Sequence, residues 1–414
     1  MRRPVVRLSA VFVPLMAVAA SGCGLDITAL AVTITGTVQD YSMSLPIEGA
    51  EVVLYDQTGA YLGEALTDDS GEYKISTGAP YTEADGLLVH GTVQAPGMVN
   101  TDFYQQVYVR NPSAAALILR PANEVVPESM ALPVVNLVPH SSRSGTISGR
   151  VFDALSSDQA VGLGGITLLL RRGINPPDTE PVVASTIASG NGPTEDEETG
   201  NYQFKELDAG TYTVSIAGND EYLGASFTVS VIGGSDTVDR NAGTTTLIAE
   251  DAARAVLTWG DSPTDLDTHV TGDTDLTLAE QVVAGDADTR WHVYFESPEY
   301  PIEGGPEGAL AFLDVDDVDG YGPETVTFNN LQEGLYRYSV HDYSTRGDPE
   351  TAVMSFSGAK VQLWIGTDNY VAYDIPVNTP GTVWTVFEID GDTKHWFSVN
   401  SFNFQDDPSV GSAF

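Results

Sequence analysis

Short runs of alternating apolar and polar residues, each cut off by Gly, Pro, Asn or Asp, recur along this chain. ITGTVQD, EVVLYDQTG, GEYKIS, GTISGRVFD, GTYTVSI, AVLTWG and TVWTVFEIDG all read this way. A period of two marks a half-buried strand, and turn residues at this frequency interrupt any longer pattern. No long segment shows the 3.6-residue period of an amphipathic helix. The chain is therefore read as all-β, with 41 Gly and 23 Pro supplying its turns. Its 414 residues suffice for several domains, and 42% hydrophobic residues provide material for packed cores.

The N-terminus reads MRRPVVRLSAVFVPLMAVAASGCG. Arg2, Arg3 and Arg7 form a positive region, Leu8 to Ala20 a short apolar one, and Ala20-Ser21-Gly22 lead to Cys23. This layout is that of a secretory signal, with an apolar run too short to span a bilayer. Ala20-Ser21-Gly22-Cys23 resembles the lipobox of bacterial lipoproteins, with Ala20 where Leu is usual. That resemblance implies cleavage before Cys23 and its acylation, making residues 1–22 a signal peptide and 23–32 a lipidated tether. Gly24 is not the Asp associated with inner-membrane retention, so an outer-membrane or cell-surface address is expected. Cys23 is the sole cysteine. The exported domains thus have no disulfides, although an oxidising compartment would permit them.

The formal net charge is −40, and removal of the signal makes the mature chain more negative still. Such a field repels nucleic acid, which is excluded as a partner. It does not attract an anionic bilayer either, so membrane association rests on the lipid. Acid excess serves solubility, and where carboxylates cluster it also serves Ca²⁺ binding.

Three segments follow the tether. In residues 33–120 the pattern Gly36-x-Val38, Pro46-Ile47-x-Gly49-Ala50-x-Val52-x-Leu54 and Thr67-Asp68-x-x-Gly71-x-Tyr73 resembles the carboxypeptidase regulatory-like domain, a small transthyretin-like β-sandwich. Residues 145–247 repeat the theme with Gly145–Asp153, Gly165–Leu170, Thr199–Phe204 and Leu207–Val214. Residues 121–144 are expected to be a linker, or to add Met130–Leu137 as an edge strand to a neighbour. The third segment, 250–406, holds all five tryptophans and a larger set of strand-like runs. Three tandem β-sandwich domains are therefore expected after the signal peptide.

The most distinctive run is Leu257-Thr258-Trp259-Gly260 followed by Thr264-Asp265-Leu266-Asp267-Thr268-His269-Val270. In a strand, Asp265, Asp267 and His269 share one face at intervals of about 6.8 Å. Unpaired charges do not line a sandwich core, so this face meets solvent or a cation. A second acidic run, Leu313-Asp314-Val315-Asp316-Asp317-Val318-Asp319-Gly320-Tyr321-Gly322-Pro323-Glu324, packs carboxylates around a turn. It is no EF-hand, because both the closing bidentate Glu and the helical context are missing. Together, Leu257/Trp259, Thr264–His269, Asp319–Glu324 and Gly334/Tyr336 resemble the YfaP-like family of bacterial exported domains. That family implies a β-sandwich and brings no established activity.

Two readings of the acidic residues stay open: a solvated rim, or a Ca²⁺ site formed by Asp265, Asp267, Asp314, Asp316 and Asp319. Hard oxygen ligands favour Ca²⁺ over zinc in such a set. His269, His292, His341 and His395 also fall in this segment, without the spacing of a zinc protease. There is no nucleophile elbow, P-loop or dinucleotide fingerprint. The expectation is a non-enzymatic, lipid-anchored protein. Two spacer domains would present a C-terminal binding domain to a protein or glycan partner; an outward-facing Trp or Tyr would stack on sugar rings, while core packing is the favoured place for any single Trp. The alternative is a cell-envelope hydrolase using the Asp/His cluster, which would gather Asp265, Asp267, His269 and His341 in one concave pocket.

Overall fold

The computed structural model describes residues 32–77, 86–108, 129–132, 134–273, 290–301, 309–410 and 414. The expected signal peptide, Cys23 and part of the expected linker lie outside the described residues. The chain folds as β-sheets joined by turns, the all-β architecture expected from its alternation.

The first domain is a two-sheet sandwich. Strand Val32–Asp40 pairs antiparallel with Glu72–Thr77 and with Leu45–Pro46. The facing sheet runs Tyr61–Leu66, Glu51–Tyr55, Leu87–Gln94, Thr101–Val107. Ile34, Val38, Val52, Leu54, Tyr73, Ile75, Val89 and Phe103 meet between the sheets. These are the alternating positions of their strands, so the period of two is what builds the core. Asp68 closes the turn before Tyr73, its Oδ1 accepting from the backbone N–H of Ser70 at 3.0 Å and of Glu72 at 2.9 Å.

Residues within 121–144 belong to this sandwich. Ser129–Ala131 and Val135–Leu137 lie parallel to Val32–Asp40. The second domain shows the same device, with Asp236–Thr237 and Ala242–Thr244 parallel to its first strand, Gly145–Asp153. The repeat thus extends beyond the sequence motif: each unit returns its last two short strands beside its first. The second sheet of this domain runs Val182–Ile187, Thr167–Arg172, Gly210–Ile216, Ala225–Val231.

The third domain is larger. One sheet of six strands orders as Glu299–Pro301, Ala309–Val315, Glu324–Phe328, Ala253–Thr258, Lys360–Ile365, Asn369–Asp374. The other, of five, orders as Arg290–Val293, Leu266–Asp273, Leu335–Asp342, Val383–Asp390, Trp396–Asn403. Leu257, Trp259, Leu266, Val270, Tyr338, Val340, Leu363 and Trp384 lie in the core between them. Trp291 lies flat on Gly272, where a Cβ would overlap the indole. All five tryptophans are buried, at most 6% exposed. Core packing, the reading favoured for each tryptophan over stacking on sugar rings, is what the structure shows: apolar indoles are drawn into cores.

The domains are packed onto one another. Trp364 joins the core of the second domain and donates its indole N–H to Gly224 O at 2.7 Å. Thr325 Oγ1 donates to Ala154 O at 2.6 Å, and Gln159 Nε2 to Tyr321 O at 3.1 Å. Backbone bonds from Ile174 N to Asp102 O and from Tyr104 N to Ile174 O, both 2.9 Å, tie the first two domains. The first domain also reaches the third, where Tyr108 stacks on His395 at 4.1 Å between ring centroids. The three units are consecutive in the chain but do not form a row.

Trp364 is the pin of the second and third domains. Trp364→Ala removes a fully buried indole and strands the Gly224 carbonyl, so we expect a loss of about 3–5 kcal/mol. Urea denaturation followed by fluorescence and circular dichroism checks this. The transitions of the two domains should separate, and an unchanged single midpoint would contradict the shared core.

Candidate metal centre

Strand pairing sets the site. Leu266–Asp273 lies antiparallel to Leu335–Asp342 with Asp267 opposite His341 and His269 opposite Ser339. Leu266 and Val270 point into the sandwich core, so Asp267 and His269 point to the other face. On the opposite side, Arg290–Val293 pairs so that His292 stands across from Thr271, on that same face. The result is a group of ionisable side chains taken out of water. His269 and His341 are 0% exposed and Asp267 3%.

Glu324 arrives from the other sheet. The turn before it needs three successive left-handed residues, Gly320 (φ 91°), Tyr321 (φ 70°) and Gly322 (φ 72°). At Gly322 a Cβ would press on Leu257 O at 2.9 Å and on the Trp259 ring, so glycine is required there. This tight reversal seats Glu324 at the head of its strand, 1% exposed. Its Oε2 accepts from the backbone N–H of Thr268.

Two groups of possible ligands share Asp267. In one, Asp267, Asp316 and Glu324 place a carboxylate oxygen each within 4.8 Å of the others. In the other, Asp267 meets His269 and His341 within the same limit. Asp267 Oδ2, Glu324 Oε1, His269 Nε2 and His341 Nδ1 are buried and meet no protein hydrogen-bond partner among the described residues. Such atoms are costly unless a proton or a cation satisfies them. Arg346 is the cation felt by Asp267 and Asp265. Its guanidinium, however, is stacked on Tyr343 and bonded to Tyr343 O at 2.6 Å.

The electrostatics follow from this crowding. Burial pushes Asp267 up to about 8, with the charges of Asp265 and Asp316 adding to it. Asp265 rises to about 6, by burial first and then by Asp316. Glu324 is raised well above the usual carboxylate range, by burial and then by Asp267. Burial pulls His292 and His341 down to about 4, and His269 falls well below its ordinary value. Near neutral pH the imidazoles are uncharged, with lone pairs free for a metal.

Of the residues singled out from sequence, Asp265, Asp267 and Asp316 come together here. Asp314 does not. A register shift separates Leu313 from Val315. Asp314 Oδ2 accepts from Thr327 Oγ1 at 2.7 Å, beside Arg254. The bulge breaks the two-residue alternation that would have put Asp314 and Asp316 on one face. Asp319 is exposed in the turn, where its N–H donates to Asp317 Oδ1 at 3.1 Å, and it belongs to neither group. Of the five expected aspartates, Asp267 and Asp316 thus share a group with Glu324, Asp265 lies alongside, and Asp314 and Asp319 stand apart from it. Glu324 was not among the sequence candidates because its place beside Asp267 depends on a turn that crosses from one sheet to the other. The Asp-x-His alternation was the available signal for His269. His395, by contrast, stacks on Tyr108 at the domain boundary.

Compared with known protein families, the chain matches none, and no curated protein matches it. Solved structures with β-rich likeness include the Bacillus anthracis TIE protein, at 13% identity and TM-score 0.19, covering 52% of this chain and 34% of that one. The shaft pilin SpaA of Lactobacillus rhamnosus GG is 12% identical at TM-score 0.18, covering 52% and 99%. Catechol 1,2-dioxygenase from Acinetobacter sp. ADP1 is 15% identical at TM-score 0.21, covering 28% and 55%. These likenesses are too distant to bear on the site.

The shifts make stability pH-dependent in a definite sense. With Asp267 at about 8 when folded and 3.8 as its ordinary value, the folded protein holds the extra proton across that window. Its stability therefore falls as pH rises toward 8. The histidines act oppositely, and their contribution is lost as pH falls from 6.5 to about 4. In chelator, the melting temperature should therefore fall as pH rises from 6.5 toward about 8, where the histidines no longer offset the carboxylates. Asp267→Asn should flatten the alkaline decline in thermal melts, and a decline of unchanged steepness would contradict the assignment.

Proposed function

We propose that this chain is an exported, lipid-anchored, non-enzymatic protein whose C-terminal sandwich is a cation-organised binding module for a protein partner. The observation that carries the reading is the convergence of Asp267, Asp316 and Glu324, two of them buried, with Asp267 Oδ2 and Glu324 Oε1 meeting no protein partner among the described residues. Three carboxylates with Asp265 alongside form a hard oxygen set suited to Ca²⁺. The ion would join Glu324 of one sheet to Asp267 of the other. In a chain without disulfides it would act as a cross-link between sheets.

The same ion would order the turn after Asp316. That turn carries Val318 and Tyr321, 57% and 51% exposed. Gly260 holds it beside the Met354–Phe356 turn, accepting from Tyr321 N at 3.0 Å and donating to Ser357 O at 2.8 Å. Phe356 is 57% exposed there. An apolar rim on an acidic surface suits a protein partner better than a glycan, since the tryptophans are internal. The first two domains serve as a rigid base, packed against the third. The burial of Asp267, His269 and His341 favours this reading over hydrolysis, which needs substrate to reach the catalytic groups. The lipobox-like Ala20-Ser21-Gly22-Cys23 supports the anchor and the extracytoplasmic address. Among the described residues no helix is long and apolar enough to cross a membrane.

Two measurements test this. Ca²⁺ at about a hundred times its dissociation constant should stabilise the mature protein by about 2.7 kcal/mol. Glu324→Gln should abolish that gain, and an unchanged melting temperature at millimolar Ca²⁺ removes the cation from the proposal. Separately, mass spectrometry of the protein from its native membrane should find Cys23 acylated at the N-terminus. Cys23→Ser should release the protein into the soluble fraction, and an unacylated soluble wild type would end the anchor reading.

A further inference from the structure

The histidine side of the cluster is built differently from the carboxylate side. His341 donates its Nε2–H to the backbone carbonyl of Gln405 at 2.9 Å. That bond fixes the tautomer and leaves the Nδ1 lone pair facing Asp267 Oδ2, 4.0 Å away. His269 Nδ1 and His292 Nε2 share a hydrogen bond at 2.8 Å, and with Nδ1 as its donor the buried, unpartnered Nε2 of His269 keeps its lone pair. Each imidazole is thus held by one nitrogen and offers the other. Metal-binding histidines are oriented in this way, by a hydrogen bond from the non-ligating nitrogen. The rings are also shielded. Phe414 stacks on His269 at 3.8 Å between centroids, and Tyr294 lies against the same ring at 5.5 Å. A core histidine kept for packing alone would have both nitrogens satisfied or one exposed; here two fully buried rings each keep a nitrogen that no partner among the described residues meets, and each has a ring nitrogen within 4.8 Å of an Asp267 oxygen.

We propose that Asp267, His269 and His341 form a second, distinct metal site that takes zinc(II) through two imidazole nitrogens and one carboxylate oxygen. The donor set is borderline in character, which suits Zn²⁺ and excludes Ca²⁺, an ion that prefers oxygen alone. Two ligands at about 2.1 Å from a tetrahedral ion lie about 3.4 Å apart, so His341 Nδ1 and Asp267 Oδ2, at 4.0 Å, would draw together by about 0.6 Å on binding. His292 is a positioning residue that holds His269 in its ligating tautomer. The site shares Asp267 with the carboxylate group but stands whether or not Ca²⁺ binds there.

The test uses the full mature chain, stripped with chelator and titrated with Zn²⁺, with Co²⁺ as a visible probe. Wild type should bind one Co²⁺ with d–d absorption that Zn²⁺ displaces, and Zn²⁺ should raise the melting temperature. His269→Gln and His341→Gln should each abolish the Co²⁺ band while keeping the Ca²⁺ response. Glu324→Gln should keep the band and lose the Ca²⁺ response. His292→Phe should weaken Zn²⁺ by about 10- to 100-fold. Because these positions are buried and a variant could fail to fold, zinc K-edge X-ray absorption on the wild type provides a measurement free of substitution. Two imidazole nitrogens in the first shell are expected. A shell of oxygen only, or no Zn²⁺ bound, overturns the proposal, as do folded histidine variants that bind Co²⁺ like wild type.

Discussion

The register between Leu266–Asp273 and Leu335–Asp342 governs the C-terminal domain. It sets Asp267 across from His341 and sends Leu266, Val270 and Val340 into the core. A slip of one residue would exchange the two faces, burying Asp267 and His269 between the sheets and turning the aliphatic residues out. Apolar burial therefore enforces the pairing that crowds the ionisable groups. Their crowding in turn raises the carboxylates and lowers the histidines, which is why the cluster has protonation behaviour unlike that of the acidic surface around it.

The second constraint is the way the domains share cores. Trp364 belongs to a strand of the third domain yet packs among residues of the second. Gln362, on the same strand, donates to Gly243 O at 3.2 Å. Buried polar groups at this boundary are answered across it, so it has the character of a domain interior. A chain without disulfides can hold three sandwiches together in this manner, through indole burial and cross-domain hydrogen bonds. The placement also keeps the acidic turn and its exposed apolar residues on a fixed base.

Much of the fold was legible in the sequence. Alternation marked the strands, and the paired motifs around Tyr73 and Tyr202 marked a repeated sandwich, because local pattern and turn chemistry depend on neighbours in the chain. The strands within 121–144 were harder to read. They are short and parallel to a strand far away in sequence, so no local periodicity identifies their partner. The site was legible in part. Asp265 and Asp267 announced themselves by sharing a face. Asp314 misled because a bulge shifts it onto Thr327 and Arg254, and such a shift leaves no trace in the spacing.

The amino-acid sequence by itself determined the strand content, the doubled sandwich and the acidic character, all properties of composition and near-neighbour order. Only the tertiary structure decided that Glu324 and His341 meet Asp267, that the tryptophans are internal, and that the domains fold back on one another. Those outcomes depend on contacts between residues tens to hundreds of positions apart. Such contacts are set by the pairing of sheets and the closing of cores, and the energy that selects them exists only once the whole chain has packed.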